Sequence, residues 1–208
     1  MTDVVDTVSR RHGLPRSEGR SLAFWGVVML AITEGMLFVN LLFSYYYLWS
    51  VSPQWPPAGV PLPALDWLIA TRTVALLSSS ASVWRAERAL ARGDRRRVWV
   101  WTTVTVLLGA FFLATHVQEF VGLPGDFLWS DNAYGSLYYT ILNIHGAHVA
   151  AGLAIWVFVL LRLARGAFGP HDHTQYSTAS IYWHVIDVLW VFVFGTVYVF
   201  PHLLPGAG

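Results

Sequence analysis

The sequence contains no cysteine, no lysine and few charged residues of either sign. Without cysteine the chain can form neither disulfides nor thiolate nucleophiles, and it cannot hold an iron–sulfur cluster, zinc or copper through thiolates. Charged residues make up 12% of the chain, about half of the roughly 25% found in soluble domains. The net charge of +1, with no basic stripe outside the loops, argues against a nucleic-acid partner.

Apolar and aromatic residues take the place of the missing charge. Hydrophobic residues make up 55% of the 208 positions, and the mean hydropathy is +0.50. The chain has 11 Trp, 9 Tyr and 12 Phe, an aromatic content typical of proteins that meet lipid interfaces. A soluble fold of this length could not cover so much apolar surface with so few charges. The composition therefore indicates an integral membrane protein.

Five segments are apolar enough to cross the hydrocarbon core of a bilayer, which takes about 20 residues per helix. They are residues 22–49, 65–84, 98–120, 134–161 and 178–200. The loops between them are too short to separate domains, so we predict one all-α bundle of five transmembrane helices over residues 21–208. Residues 1–20 have no apolar core and no small-residue cleavage site, and we interpret them as a short cytoplasmic tail.

The distribution of arginine predicts the orientation of the bundle. Four of the 13 basic residues lie in the tail, six lie between residues 85 and 97, and Arg162 and Arg165 open the fourth loop. In a five-span path these three places share one side of the membrane. Cytoplasmic loops accumulate Arg and Lys, so we expect the amino terminus in the cytoplasm and the carboxyl terminus outside.

Ionisable residues occur in every predicted span. Burying a charge there costs about 2.5 to 3.5 kcal/mol on insertion scales, and such groups almost always face the interior of the bundle. We therefore predict that they are buried polar groups of structural importance. The residues are Glu34, Arg72, His116, Glu119, His145, His148, His184 and Asp187.

Depth in the membrane suggests which of these groups meet. A rise of about 1.5 Å per residue, counted from the cytoplasmic ends, places Glu34, His148 and Asp187 near the midplane. Arg72 and His145 come next toward the outside. Because Glu34 and His148 lie at nearly equal depth, we predict that they form an interhelical pair, in which a neutral Glu34 donates to the imidazole or an ionised one faces a protonated ring.

The residues alone leave three hypotheses for these groups. They could form a path for protons or ions, ligate a redox metal, or hold helices together through hydrogen bonds. His145 and His148 are spaced to share a helix face, but four histidines on three spans at different depths do not obviously converge on a haem or a copper ion. His171, Asp172 and His173 could bind a surface metal, although a solvated loop explains them as well.

Several motifs, each at its expected place on the five-span map, resemble subunit III of the haem–copper respiratory oxidases. Residues 33–38 (TEGMLF) are similar to its Ser/Thr-Glu-x-x-x-Phe segment, and residues 55–57 (WPP) to its Trp-Pro-Pro loop. Residues 88–97 resemble its basic turn. The remaining matches are residues 118–120 (QEF), 133–136 (AYGS), 145–149 (HGAHV) and 182–190 (YWHVIDVLW), the last similar to Tyr-Trp-His-Phe-Val-Asp-Val-Val-Trp.

The resemblance implies a non-catalytic subunit with no catalytic centre, haem or copper of its own. Such a subunit packs on catalytic subunit I and other oxidase subunits, which hold the haems and copper, and it binds phospholipid in a cleft between its helices. It supports assembly and sustained proton-coupled reduction of oxygen by a proton-pumping complex, with electrons from cytochrome c or a quinol. We therefore expect a multi-pass protein of the bacterial inner membrane.

The chain also departs from the family pattern. Longer members have seven helices, and the first two are absent here, as in five-helix bacterial members. Arg72 stands where a small polar residue is expected, and His116 where Gln is common. An accessory subunit of a nitric oxide reductase and a free-standing small transporter remain alternatives.

The basic loop between the second and third spans has two interpretations. It could bind anionic lipid headgroups, which attract such residues by about 1 kcal/mol each, or it could serve only to set the topology. The candidate headgroup residues are Arg85, Arg88, Arg95, Arg96 and Arg97.

Overall fold

The computed structural model describes residues 22–60, 62–122, 129–166 and 172–204. Five α-helices make up most of these ranges, and no strand occurs within them, which confirms the predicted all-α bundle. The cytoplasmic tail predicted for residues 1–20, and His171 of the fourth loop, lie outside the described residues. The helices are α1 (Leu22–Val51), α2 (Trp67–Ala91), α3 (Arg95–Gly122), α4 (Ala133–Ala164) and α5 (Asp172–Phe194).

Capping residues set the starts of two helices. The side chain of Asp66 accepts a hydrogen bond of 2.9 Å from the backbone N–H of Ile69 at the start of α2. Asn132 accepts one of 2.8 Å from Gly135 in the same way at the start of α4. Each bond satisfies one of the N–H groups that a helix leaves without an intrahelical partner.

The helices extend beyond the predicted apolar runs. The second span was predicted to end at residue 84, but α2 continues to Ala91, through Arg85 and Arg88. It stops before Gly93, whose φ of 71° is a left-handed conformation that favours glycine and allows the sharp turn into α3. Arginine is a good helix former, so the helix continues beyond the point where its apolar residues end.

Four helical stretches are long and apolar enough to span a membrane: Phe24–Val51, Arg95–Val121, Ala133–Ala164 and Gln175–Leu203. The last of these joins α5 to a π-helical turn, Gly195–Val199, and a 3₁₀ turn, Phe200–Leu203. The helix α2, predicted as the second span, falls short of the same apolarity; it contains Arg72 and four serines between residues 78 and 82, and charged residues follow from Arg85 on.

The helix α5 is the centre of the packing, and it contacts α1, α2 and α4. Trp183 on α5 is completely buried. A Cβ atom on Gly109 of α3 would lie 2.9 Å from its ring, and one on Gly152 of α4 would lie 2.8 Å from it. Its Nε1 donates a 2.8 Å hydrogen bond to Oγ of Ser79 on α2. One indole therefore joins α5 to three other helices, and the two glycines make the space for it.

Candidate functional site

The predicted pair of Glu34 and His148 is present in the structure. Oε2 of Glu34 on α1 lies 2.7 Å from Nε2 of His148 on α4. Nδ1 of His148 lies 2.7 Å from the backbone carbonyl oxygen of Ile144. A carbonyl only accepts, so Nδ1 carries a proton. The pair is therefore either a neutral carboxyl that donates to Nε2, or a carboxylate facing an imidazolium.

This pair is only half-buried. The side chain of Glu34 is 25% exposed and that of His148 is 17% exposed. Phe38, one turn along α1 from Glu34, is buried against both His145 and His148, with ring centroids 6.1 and 5.7 Å away. The aromatic ring of Phe38 covers one side of the pair, and the pair joins α1 to α4.

Arg72 and Glu119, for which the sequence suggested no contact, form a second pair. Nη2 of Arg72 on α2 lies 2.5 Å from Oε2 of Glu119 on α3, and the arginine side chain is 1% exposed. Nη2 also donates to the hydroxyl oxygen of Tyr198 at 2.7 Å. The Tyr198 hydroxyl is in turn 2.8 and 3.0 Å from the two carboxylate oxygens, and that of Tyr138 is 3.4 Å from Oε1. This cluster ties α2 and α3 to α4 and to the end of the last span.

Two aromatic rings help to hold the guanidinium group of Arg72 inside the bundle. Its Cζ lies 5.8 Å from the ring centroid of Trp190 and 5.5 Å from that of Tyr198. Aromatic faces attract cations at such distances. The sequence carried a signal for this cluster, because Arg72 and Glu119 lie in the halves of two neighbouring helices that are distant from the turn at Gly93.

A third polar cluster joins α2 to α5. Oγ of Ser80 lies 2.8 Å from Nδ1 of His184 and makes a short hydrogen bond to Oδ2 of Asp187. Asp187 is 4% exposed, whereas His184 is half-buried. Residue counting places Asp187 at a depth similar to that of Glu34 on α1. Asp187 nevertheless bonds to Ser80 on α2 and not to the pair of Glu34 and His148. Sequence reasoning missed Ser80, since a serine within a helix is unremarkable.

His116 and His145 lie among aromatic rings. His145 is completely buried, 4.9 Å from the ring centroid of Trp190, and neither of its ring nitrogens has a hydrogen-bond partner among the described residues. His116 stacks on Phe112 with ring centroids 5.9 Å apart. A Cβ atom on Gly146 would lie 2.7 Å from Nε2 of His116. The glycine between His145 and His148 therefore makes room for the third imidazole.

The two histidines of α4 do not converge on a common point. His145 faces Trp190, and His148 faces Glu34. Within the described ranges, no group of three or more His, Asp or Glu side chains is placed to hold a metal ion. The eight predicted polar residues are instead divided among three helix contacts and an aromatic cluster, and four of them are buried: Arg72, His116, His145 and Asp187.

The basic turn between α2 and α3 presents exposed arginines beside tryptophans. Cζ of Arg85 lies 4.9 Å from the ring centroid of Trp101, and Cζ of Arg88 lies 3.4 Å from that of Trp84. Arg97 pairs with Asp94 through a contact of 3.2 Å. Arg95 and Arg96 are also exposed. The aromatic rings therefore hold two of the guanidinium groups in place.

Long apolar helices with polar groups paired between them define a multi-pass helical membrane protein. The comparisons with known proteins identify which one. The family model "Cytochrome c oxidase subunit III" matches residues 4–202. The chain belongs to this family, whose members are non-catalytic subunits of haem–copper oxidases, and the resemblance predicted from the motifs is confirmed.

Individual relatives agree with the family match. The cytochrome c oxidase subunit 3 of Synechocystis sp. is 31% identical over 189 residues, which cover 90% of this chain and 77% of the relative. The protein of the same name from Gallus gallus is 30% identical over 181 residues, covering 84% of this chain and 68% of the relative. That of Drosophila yakuba is 30% identical over 186 residues, with the same coverage.

Proposed function

We propose that all five helices cross the inner membrane of a bacterium as one domain, with the amino terminus in the cytoplasm and the carboxyl terminus outside. The arginine distribution supports the orientation. Contacts between α2 and α3 support α2 as a span in addition to the other four helices. Arg72 pairs with Glu119 toward one end of the two helices, and Ser82 bonds to Thr105 at 2.7 Å toward the other end. The helix α2 therefore runs antiparallel to α3 through the same depth, and Glu119 neutralises the charge buried in it.

Within the oxidase, this subunit packs on catalytic subunit I and supports assembly and sustained turnover without performing redox chemistry. The observation that carries this proposal is the pairing of Glu34 with His148 and of Arg72 with Glu119. These ionisable groups satisfy one another across helix contacts, and partnered groups of this kind hold a bundle together. The same pairs argue for a structural role over a continuous transport path.

Bound phospholipid is the second element of the proposed function. A groove of about 410 Å³ lies between α1, α4 and α5, and its lining includes Val27, Leu30, Ile155 and Tyr182. Such an apolar groove suits an acyl chain. The headgroup candidates at the cytoplasmic side are Arg85, Arg88, Arg95, Arg96 and Arg97. We expect phosphatidylglycerol to raise the thermal stability of the subunit more than phosphatidylcholine does, and we expect Arg85→Gln with Arg88→Gln to reduce that difference. An equal effect of the two lipids would mean that the arginines only set the topology.

Copurification tests the assignment to an oxidase. A tagged chain, purified in mild detergent from its native membranes, should elute with haem-bearing subunits and copper. The same chain expressed without partners should show no haem absorbance. A nitric oxide reductase accessory would bring non-haem iron with the haem, and a free-standing transporter would elute alone. Either of these results would contradict the proposal.

A further inference from the structure

An aromatic row of four oxidisable side chains leads from the loop between α1 and α2 into the bundle: Trp55, Tyr134, Tyr138 and Tyr198. They are 8%, 1%, 4% and 0% exposed, in that order. The ring centroids of Trp55 and Tyr134 lie 5.0 Å apart, and Tyr134 stacks on Tyr138 at 6.1 Å. The hydroxyl oxygens of Tyr138 and Tyr198 lie 3.4 and 2.8 Å from the same atom, Oε1 of Glu119. The row therefore ends at a carboxylate shared by two phenols.

The shared carboxylate gives these phenols a chemistry that packing alone does not require. Phenylalanine would fill the same space without a buried hydroxyl group. A phenol that loses one electron becomes strongly acidic, so it settles as a neutral radical where a base takes its proton. The hydroxyl of Tyr198 lies 2.8 and 3.0 Å from the two carboxylate oxygens of Glu119, within the roughly 2.6–3.2 Å over which a positioned base accepts a proton. An ionised carboxylate only accepts, so Glu119 is suited to this role.

The hydroxyl oxygen of Tyr198 is held on two sides. It donates to Glu119, and it accepts a 2.7 Å hydrogen bond from Nη2 of Arg72. Arg72 continues to donate to this oxygen after the phenolic proton has moved to Glu119. Tyr198 also lies in the π-helical turn Gly195–Val199. Such turns are rare and occur frequently at functional sites.

We propose that the aromatic row carries a one-electron oxidation from Trp55 to Tyr198, which stores it as a neutral tyrosyl radical with Glu119 as the proton acceptor. All members of the row lie in one chain, so the relay itself does not depend on assembly with an oxidase. The proposed function supplies only the oxidant, an oxygen-centred radical of the kind that forms when the reduction of oxygen is incomplete. The row would thus protect the complex by confining such an oxidation to one buried phenol.

One electron and one proton leave Tyr198 in this process. The oxygen-centred radical takes an electron from Trp55 and a proton from water, which makes it a closed-shell hydroxyl compound. Each ring of the row then replaces the electron of the ring before it, until Tyr198 is oxidised, its O–H bond breaks and the proton binds Glu119. A water-soluble reductant such as ascorbate returns one electron by the same route, and the proton returns from Glu119 to Tyr198.

Flash oxidation of the purified full chain in detergent tests the relay. A ruthenium(II) tris-bipyridine complex, with a cobalt(III) ammine as the electron acceptor, supplies a one-electron oxidant that stays in water. The freeze-quenched wild type should give a tyrosyl signal in electron paramagnetic resonance that changes shape with ring-deuterated tyrosine and disappears with ascorbate. Tyr198→Phe should lose most of this signal. Tyr47→Phe, at a 57% exposed tyrosine of α1, should keep it.

Two further measurements test the entry point and the proton acceptor. Trp55→Phe should lower the yield of the tyrosyl signal, and Trp129→Phe should not, although Trp129 is 67% exposed. The infrared band of a neutral carboxyl group should form together with the radical, shift with isotopically labelled glutamate and be absent in Glu119→Gln. Thermal unfolding checks that each variant keeps the bundle intact, and the labelled wild type needs no variant.

Three results would overturn the proposal. These are a tyrosyl signal of equal size in Tyr198→Phe and the wild type, equal yields in Trp55→Phe and Trp129→Phe, and a radical that forms without the carboxyl band. Copurification with haem-bearing subunits is measured separately and is unaffected by any of them. A failure of the relay is therefore distinguishable from a failure of the proposed function.

Discussion

The carboxyl group of Glu34 on α1 lies 2.7 Å from the imidazole of His148 on α4, and the second nitrogen of that imidazole is fixed by the carbonyl of Ile144. The bond crosses the bundle at a point where α1 otherwise offers mainly apolar side chains. The loss of either partner leaves the other half-buried and unsatisfied, which typically costs about 1–3 kcal/mol.

Glu34→Ala should therefore loosen α1 and reduce the amount of subunit that stays with the oxidase, while the haem spectrum of the complex remains intact. Glu34→Gln should be milder, because its amide N–H can donate to Nε2 of His148. The ratio of subunit to haem after detergent washing measures both effects. Met36→Ala, at an exposed position of the same helix, is the control. Equal retention of the alanine and glutamine variants would contradict this account of the pair.

The pair of Arg72 and Glu119 predicts a non-additive response. Arg72→Leu should destabilise the bundle by about 3–5 kcal/mol, because it leaves a carboxylate without its cation. Arg72→Leu combined with Glu119→Leu should be less harmful than the single change, since the apolar pair strands no charge. Thermal unfolding of the purified subunit in detergent measures the series. If the double variant loses the full sum of the two single effects, the two residues act independently.

The space around Trp183 predicts a contrast between two glycines. Gly152→Ala places a methyl group 2.8 Å from the buried indole and should destabilise the bundle by about 1–3 kcal/mol through overpacking. Gly35→Ala on α1 meets nothing within 4 Å, and it should leave the stability unchanged or slightly raised. The melting temperatures of the two variants make the comparison. A Gly152→Ala protein as stable as the wild type would mean that Trp183 moves freely.

The topology predicts the location of reporter fusions. Fusions after Gly93 and Gly166 should report a cytoplasmic location, and a fusion after Gly59 should report an external one. The fusions at Gly59 and Gly93 flank α2, so together they test whether α2 crosses the membrane. If both report the same side, α2 does not cross the membrane, and the five-span proposal is wrong.

The sequence predicted much of this architecture because apolar runs mark the membrane core. It did not predict the ends of the helices, since α2 continues through Arg85 and Arg88 until Gly93 permits the turn. Arginine is a good helix former, so a helix need not end where its apolar run ends.

Depth along a helix predicted some side-chain contacts and not others. Equal depth correctly predicted the contact of Glu34 with His148. Asp187 lies at a similar predicted depth, but it bonds to Ser80. The depth of a residue along its helix follows from counting residues. The direction in which its side chain faces depends on how the helix is rotated against its neighbours, and counting does not give this rotation. The contacts of Trp183 with two glycines were hidden for the same reason.

The time course of oxygen consumption is the most direct test of the central claim that this chain supports an oxidase without performing its chemistry. Purified complex with the subunit is compared with complex from which the subunit has been removed, at equal haem content. The account predicts equal initial rates, followed by a progressive loss of activity over many turnovers only in the depleted complex. An initial rate near zero in the depleted complex, with its haem spectrum intact, would contradict it.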